Sequence, residues 1–364
     1  MSIVYSRKKA SDLVVDGRHM REAWINGRQV WPVDQNNTWK KYGPLMNKGY
    51  RGIYHDGAGG ILLITKDTLK TIYVPVQDQW IDKDYYLGPG YSDPFSRGQG
   101  NGIYSGYALN DGSQSTFFIY LPKQDILRKI NTGTNYFTGG NGAATNGTSA
   151  IIGGWSSGLM YIPDILSAEN RIIKDTTGVC GVAYNQGLYY KYTVPFGTNP
   201  GNPRVSYSSN GLNWTTLTTH LRGEVIKYDY IKIIGEYVFD TYTYFPRFGD
   251  YYTVTRYIDG KTISYVDWPS EMPEGFTPEQ RTPYHLGNLQ YAKKYGRYIL
   301  FTNNGFYSTR DLKDWDYKRY SSGNLGSALG NLNDVIASGF VPFKDDSFLA
   351  IKEDGSVIII TIEL

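Results

Sequence analysis

The stretch GVAYNQGLYYKYTV at Gly181–Val194, followed by RVSYSSNGLNWTTLT at Arg204–Thr218, decides the fold of this chain. It reads as an apolar strand, a turn at Gly, a Tyr-rich strand, a third strand closed by a Ser-x-x turn, then Trp and a polar strand. Tyr291–Tyr320 repeats the cadence as YAKKYGRYILFTNNGFYSTRDLKDWDYKRY. Four short strands per unit, punctuated by turn residues, describe one β-propeller blade.

Fainter copies lie at Ile53–Val76, Ile103–Ile130, Asn146–Lys174, Tyr230–Trp268 and Val335–Leu364, with starts spaced by roughly 35–60 residues, as blades with loop insertions require. The expected architecture is therefore all-β, a propeller of about seven four-stranded blades. The last copy holds only three strands, VIASGFVPF, SFLAIKE and SVIIITIEL, which would leave an unpaired edge. Asn37–Gly43 (NTWKKYG) resembles the missing fourth strand, with Trp39 standing where Trp214 and Trp315 stand. It is expected to close the ring against the C-terminal blade. This divides the chain into residues 1–36 and a propeller over residues 37–364.

Composition agrees. There are 42 Gly and 34 Tyr among 364 residues, and Asn-Gly or Asp-Gly pairs at Asn146, Asn210, Asn304, Asp259 and Asp354 mark hairpin turns. A net charge of +3 gives no nucleic-acid footprint. No apolar run reaches membrane-spanning length, and the polar N-terminus is not a signal peptide, so synthesis in a cytoplasm is expected. The single Cys180 has no internal disulfide partner and reads as a buried, inert thiol.

The first 36 residues break the cadence. AWINGRQVWP at Ala23–Pro32 is a hairpin about an Asn-Gly turn, and alternation places Trp24 near Val30 or Trp31. Pro32 ends it. A hairpin this small needs cover, from the propeller, another copy or another protein.

The phrase EAWINGRQVWP, after VVDGRHMR, resembles the N-terminal hairpin of tail and other virion proteins of bacteriophages that infect Gram-positive bacteria. The likeness covers residues 13–32. Ser208–Trp214 (SSNGLNW) is similar to the Asp-box turn of sialidase-like propellers, with Asn210 in place of the usual Asp. Ser308–Trp315 (STRDLKDW) is a looser copy without the Gly. The Asp-box is a folding device whose side chains bond the turn while its Trp packs between blades, so it carries no catalytic implication. WD-repeat and kelch signatures are missing.

A sialidase-like glycosidase would need an arginine clamp, a Tyr activated by a Glu, and an acid at the ring's centre. Arg128, Arg171, Arg204, Arg222, Arg256 and Arg297 do not recur at successive innermost strands. Asp229, Glu236 and Asp240 are available acids but read as solvated turn and strand-edge residues. His19, His55, His220 and His285 lack metal-ligand spacing. The Gly-rich stretches at 57–60 and 139–142 open no helix, so no phosphate cradle is expected. No catalytic residue, cofactor or metal is assigned.

Recognition belongs on loops of the rigid ring. Long excursions at Pro195–Pro203 and Phe245–Asp250 follow the second strands of neighbouring blades, and those at Asp82–Gly102 and Pro269–His285 lie between blades, all on one face. The candidate receptor-binding residues are Tyr190, Tyr192, Phe196, Tyr242, Tyr244, Phe245, Arg247, Phe248 and Tyr251, because aromatic and Arg surfaces suit sugar rings and protein hot spots. Trp24, Ile25, Val30 and Trp31 are the candidate virion-docking residues.

The resemblance implies a non-enzymatic virion protein of a tail fibre, baseplate, head or neck. It would bind other virion proteins through residues 1–36 and a host-surface glycan or protein through the propeller, with a homo-oligomer as one candidate state, and with no nucleic acid and no membrane insertion. The alternatives are a glycan-cleaving tail enzyme on the same ring and a purely structural virion hub.

Overall fold

The computed structural model describes two short hairpins within residues 13–31 and most of residues 39–364, leaving out 1–12, 32–38, 88–103, 132–142, 195–203, 218–223, 270–287, 321–339 and some shorter turn segments. The described chain is all-β, with only single turns of 3-10 helix between strands. Seven antiparallel sheets follow one another from Gly52 to the C-terminus, and every one is a meander. Six have four strands. The second, made of Tyr104–Asn110, Gln114–Leu121 and Ile126–Asn131, has three among the described residues. The ring thus has six complete blades rather than the seven expected, with a three-stranded sheet in second place.

Packing shows that the sheets form a ring. Among the described residues there are seven apolar clusters, each shared by two successive sheets. Ile119 and Leu121 of blade 2 meet Ile152 and Met160 of blade 3, and Phe301 of blade 6 meets Phe340 and Phe348 of blade 7. Ile53 and Leu63 of blade 1 share a cluster with Phe343 and Leu349 of blade 7, which closes the circle. Alternate residues on each strand go to opposite neighbours, so the inner strands are buried on both faces: Ile61–Ile64, Gly305–Thr309 and Ser347–Ile351 are buried throughout.

The seal is where the sequence places it. Trp39–Lys41 is the outermost strand of blade 7 and pairs antiparallel with Val357–Thr361, Trp39 opposite Ile360 and Lys41 opposite Ile358. Trp39 meets Tyr320 of blade 6 edge-on at 5.3 Å between centroids. Trp214 packs on blade 3, Trp315 on blade 5, and Trp80, at the start of blade 1's fourth strand, on blade 7. All four Trp therefore sit near the start of an outer strand and lock onto the preceding blade.

Two kinds of turn lead into those outer strands. In blade 4, Ser208 Oγ accepts from the Asn210 and Gly211 amides, and Asn210 Oδ1 accepts from those of Leu212 and Asn213. In blade 6 the same four bonds run from Asp311 and Leu312 to Thr309 Oγ1, and from Lys313 and Asp314 to Asp311 Oδ1. Thr309, not Ser308, is thus the counterpart of Ser208. Leu312 takes the left-handed conformation of Gly211, with φ 62° against 74°, and fills the blade 5–6 core. The Lys313 and Asp314 amides hold the Asp311 carboxyl below its usual 3.8, led by that of Asp314. Its contribution is therefore complete above pH 3.8 and fades as the pH falls through the lowered value. Asp311→Ala is expected to cost about 1 kcal/mol at neutral pH, measured by denaturant unfolding, and close to nothing in strong acid.

Blades 1 and 2 use Tyr-x-Pro-x-Gln-Asp instead. Tyr73 donates to Asp78 at 2.6 Å and Tyr120 to Asp125 at 2.9 Å, with both Asp residues left-handed. This turn joins third to fourth strand in blade 1 and the last two of the three described strands in blade 2. Ile103 and the rest of residues 88–103 lie outside the described ones.

A second latch ties neighbouring blades. Tyr189, just after the first turn of blade 4, donates to Ser149 O at 2.8 Å and accepts from Asn146 N at 3.2 Å, both at the first turn of blade 3. Tyr190 donates to Gly260 O of blade 5 at 2.7 Å. Burial pushes both phenols up to about 12. The folded protein thus holds these protons where the unfolded chain loses them. Stability from these groups is complete below pH 10 and lost as pH rises from 10 through about 12. Denaturant midpoints should fall steeply across that window, and less steeply in Tyr190→Phe.

Residues 13–31 form two separate hairpins, Leu13–Val15 with Arg18–Met20 and Ala23–Ile25 with Arg28–Trp31. The first was not anticipated. In the second, Trp24 is opposite Gln29 rather than Val30 or Trp31, in register with the Ile25–Arg28 pair, and the ladder then slips so that Ala23 meets Trp31.

Candidate recognition surface

In each four-stranded meander the first-to-second and third-to-fourth turns lie on one face of the ring. The second-to-third connections and the blade-to-blade links lie on the other. The closing strand enters at Trp39, on the turn face at the outer rim of blade 7, and the C-terminal strand ends on that same face. Residues 1–36 thus join the ring on the side opposite the second-to-third connections.

Blade 5 breaks the regularity of that opposite, link-bearing face. Its first three strands, Glu224–Ile234, Tyr237–Arg247 and Asp250–Asp259, have 11, 11 and 10 residues, against 8, 7 and 5 in blade 4 and 4, 5 and 5 in blade 6. Its fourth strand, Thr262–Tyr265, has only four. The surplus carries a three-stranded fin on the order of 10–20 Å beyond the described strands of its neighbours. Phe245–Asp250, expected as a loop, is instead the end of this hairpin: Arg247 pairs with Asp250, and the ladder shifts between Tyr244 and Arg247. Pro246 falls in that irregularity, where its missing N–H costs no ladder bond.

Tyr244, Phe245, Arg247 and Tyr251 are backbone positions of the fin beyond the ring's core. Phe196 and Phe248 lie outside the described residues. Tyr190, Tyr192 and Tyr242 do not belong to an open surface. All three are at most 1% exposed, Tyr190 and Tyr192 in the cluster shared by blades 4 and 5. They stand at alternate positions on central strands, and such positions face the neighbouring blade.

The root of the fin holds a feature that sequence reading missed. Asp240 and Arg256 are cross-strand partners, and their side chains are fully buried, at 0% and 1% exposure. Arg256 Nε donates to Oδ1 and Oδ2 of Asp240 at 3.1 and 3.2 Å, and its Nη2 donates to Oδ2 as well. The guanidinium lies 4.7 Å from the Tyr242 ring centroid. Asp240 is therefore not a solvated acid. Its carboxylate is committed to one guanidinium inside the blade, unlike a general acid or base that must reach a sugar. Glu236 is on the turn face, where its carbonyl accepts from Asn185 and Gln186 of blade 4. The Asp229 side chain lies outside the described ones.

No family model matches the chain, and no curated protein is similar to it.

Burial lowers the imidazole of His55, the charge of Asp56 pulls the other way, and that of Lys232 adds to the lowering. His55 is on the first strand of blade 1 and Lys232 on that of blade 5. Among the described residues no three His, Cys, Asp or Glu side chains cluster as metal ligands, and no helix is long and apolar enough to cross a membrane.

Proposed function

We propose that this is a non-enzymatic binding protein of a bacteriophage virion. Its fin on blade 5 contacts a glycan or protein of the host cell surface, and its first 36 residues attach it to the particle. The observation that carries the reading is the polarity of the ring. Blade 5 has the longest strands among the described residues, its extension is lined in sequence by Tyr244, Phe245, Arg247 and Tyr251, and it lies on the face away from the entry of residues 1–36. The virion assignment rests on the likeness of residues 13–32 to phage hairpins. Multiple copies on one particle would make individually weak sites avid.

The test is binding to bacterial cells and to their isolated envelope polysaccharides, followed by assay for new reducing ends. Reversible binding without cleavage is expected. New reducing ends would instead favour the glycan-cleaving alternative, and retention on phage particles without binding to cells would favour the structural hub.

A further inference from the structure

The residue two places after the Trp of an outer strand is Lys41 in blade 7, Asp82 in blade 1 and Thr216 in blade 4, polar as suits a rim in water. In blade 1 the cross-strand partner Thr71 donates to Asp82 at 2.9 Å. In blade 4 the Ser206 and Thr216 hydroxyls, also cross-strand partners, lie 3.3 Å apart. Blade 6 fills the same place with Tyr317, opposite Tyr307, and the two rings are 4.9 Å apart. Tyr307 is 8% exposed, whereas Tyr317 is 46% exposed.

Gly305 shows how the outer ring is held. It stands four residues before Thr309, where blade 4 has Arg204 before Ser208. A Cβ at Gly305 would meet Tyr317 Cε2 at 2.8 Å and the phenol oxygen at 2.7 Å, and would strike the Lys318 carbonyl as well. A glycine inside a strand marks such a close approach. The Tyr317 ring therefore covers backbone on its inner side and leaves its outer side to water.

Alternation sorts the neighbours. Lys318 turns toward blade 7, donating to Glu363 O at 2.8 Å, and Asp316 accepts from Arg297 at 2.7 Å on that same side. Trp315, Tyr317 and Arg319 take the side toward blade 5, where Trp268 stacks on Trp315 at 5.8 Å. Arg319 is exposed, and its charge opposes the rise that burial imposes on the Tyr317 phenol, so the guanidinium is near that ring.

We propose that Trp315, Tyr317 and Arg319 form a carbohydrate-stacking site on the rim of blade 6, separate from the fin. The open side of the Tyr317 ring presents the negative π face that the C–H side of a sugar ring meets favourably. Arg319 brings a planar fork of donors to hydroxyl or acidic substituents at the sugar's edge. Trp315, held by Trp268, bounds the platform at the other end. The inference rests on the chemistry of this rim and stands whether or not the fin binds. If both bind, the strip faces the blade that bears the fin, so one polysaccharide chain can follow the two.

Titration calorimetry of the full-length chain with soluble oligosaccharides cut from bacterial envelope polysaccharides tests this, read beside hydrogen exchange over residues 305–319. Binding with slowed exchange in that segment is expected. Tyr317→Ala should weaken it about tenfold and Arg319→Ala about threefold, while Tyr317→Trp, which keeps an aromatic face, retains it. The fin variant with Tyr244→Ala, Phe245→Ala and Tyr251→Ala should keep the protection at 305–319, so this site and the fin are read apart. No binding by any of the oligosaccharides, or binding undiminished in both Tyr317→Ala and Arg319→Ala, overturns the proposal.

Discussion

Deletion of residues 1–42 is expected to give a protein that melts well below the full chain and aggregates, whereas deletion of residues 1–36 leaves the melting temperature of the ring unchanged. The two truncations differ by little more than the closing strand. Losing Trp39–Lys41 removes the ladder along Ile358–Ile360 and uncovers a strand whose sequence, VIIIT, is among the most apolar in the chain. A free edge of that composition is a template for pairing with another molecule. Trp39→Ala in the intact chain separates packing from pairing. It should cost about 2–3 kcal/mol of unfolding free energy, because the indole is part of the blade 6–7 cluster, while the ladder that guards the edge remains. Light scattering during thermal melts, read beside circular dichroism, distinguishes the two effects. Equal behaviour of both truncations would mean that the ring closes without this strand.

Asp240→Ala and Arg256→Ala are each expected to destabilise blade 5 by about 3–5 kcal/mol, because each leaves a partner charge buried and uncompensated. Asp240→Leu with Arg256→Met should recover most of that loss, since an apolar pair of similar volume carries no desolvation penalty. The measurement is a double-mutant cycle by denaturant unfolding, with hydrogen exchange over residues 243–253 as a local readout. Faster exchange there in either single variant, and restored protection in the double, is the expected pattern. A single variant as stable as the parent would show that the pair does not anchor the fin.

The ring was legible because its turns carry their own chemistry. Ser208 with Asn210, the Asn-Gly at Asn146 and the Trp before the outer strands of blades 4 and 6 can be read locally, and Asn37–Gly43 was recognisable as a displaced outer strand because it carries the same Trp. The outer strand of blade 1, Gln79–Tyr86, was missed because its QWIDKDYY mixes charge and aromatics, and because its turn, Tyr73-Val-Pro75-Val-Gln-Asp78, belongs to a different class from that of blade 4.

The fin was partly legible, and its shape was misread. Pro246 and Gly249 are breaker residues, so Phe245–Asp250 read as a loop, although a ladder irregularity lets the strands run on. The side chains of Tyr190, Tyr192 and Tyr242 were offered to a receptor because Tyr suits both interfaces and interiors. Only the alternation of each strand against its neighbouring blade tells the two apart. The Asp240–Arg256 pair was out of reach, since joining residues 16 apart requires the register of the hairpin, which no local pattern gives.

The most direct test of the account is binding of the full-length chain to bacterial envelope polysaccharide, compared with a variant carrying Tyr244→Ala, Phe245→Ala and Tyr251→Ala. Reversible binding by the parent, a loss of at least tenfold in affinity in the variant, and the same melting temperature for both are expected. Undiminished binding by a folded variant would place recognition elsewhere on the ring and contradict it.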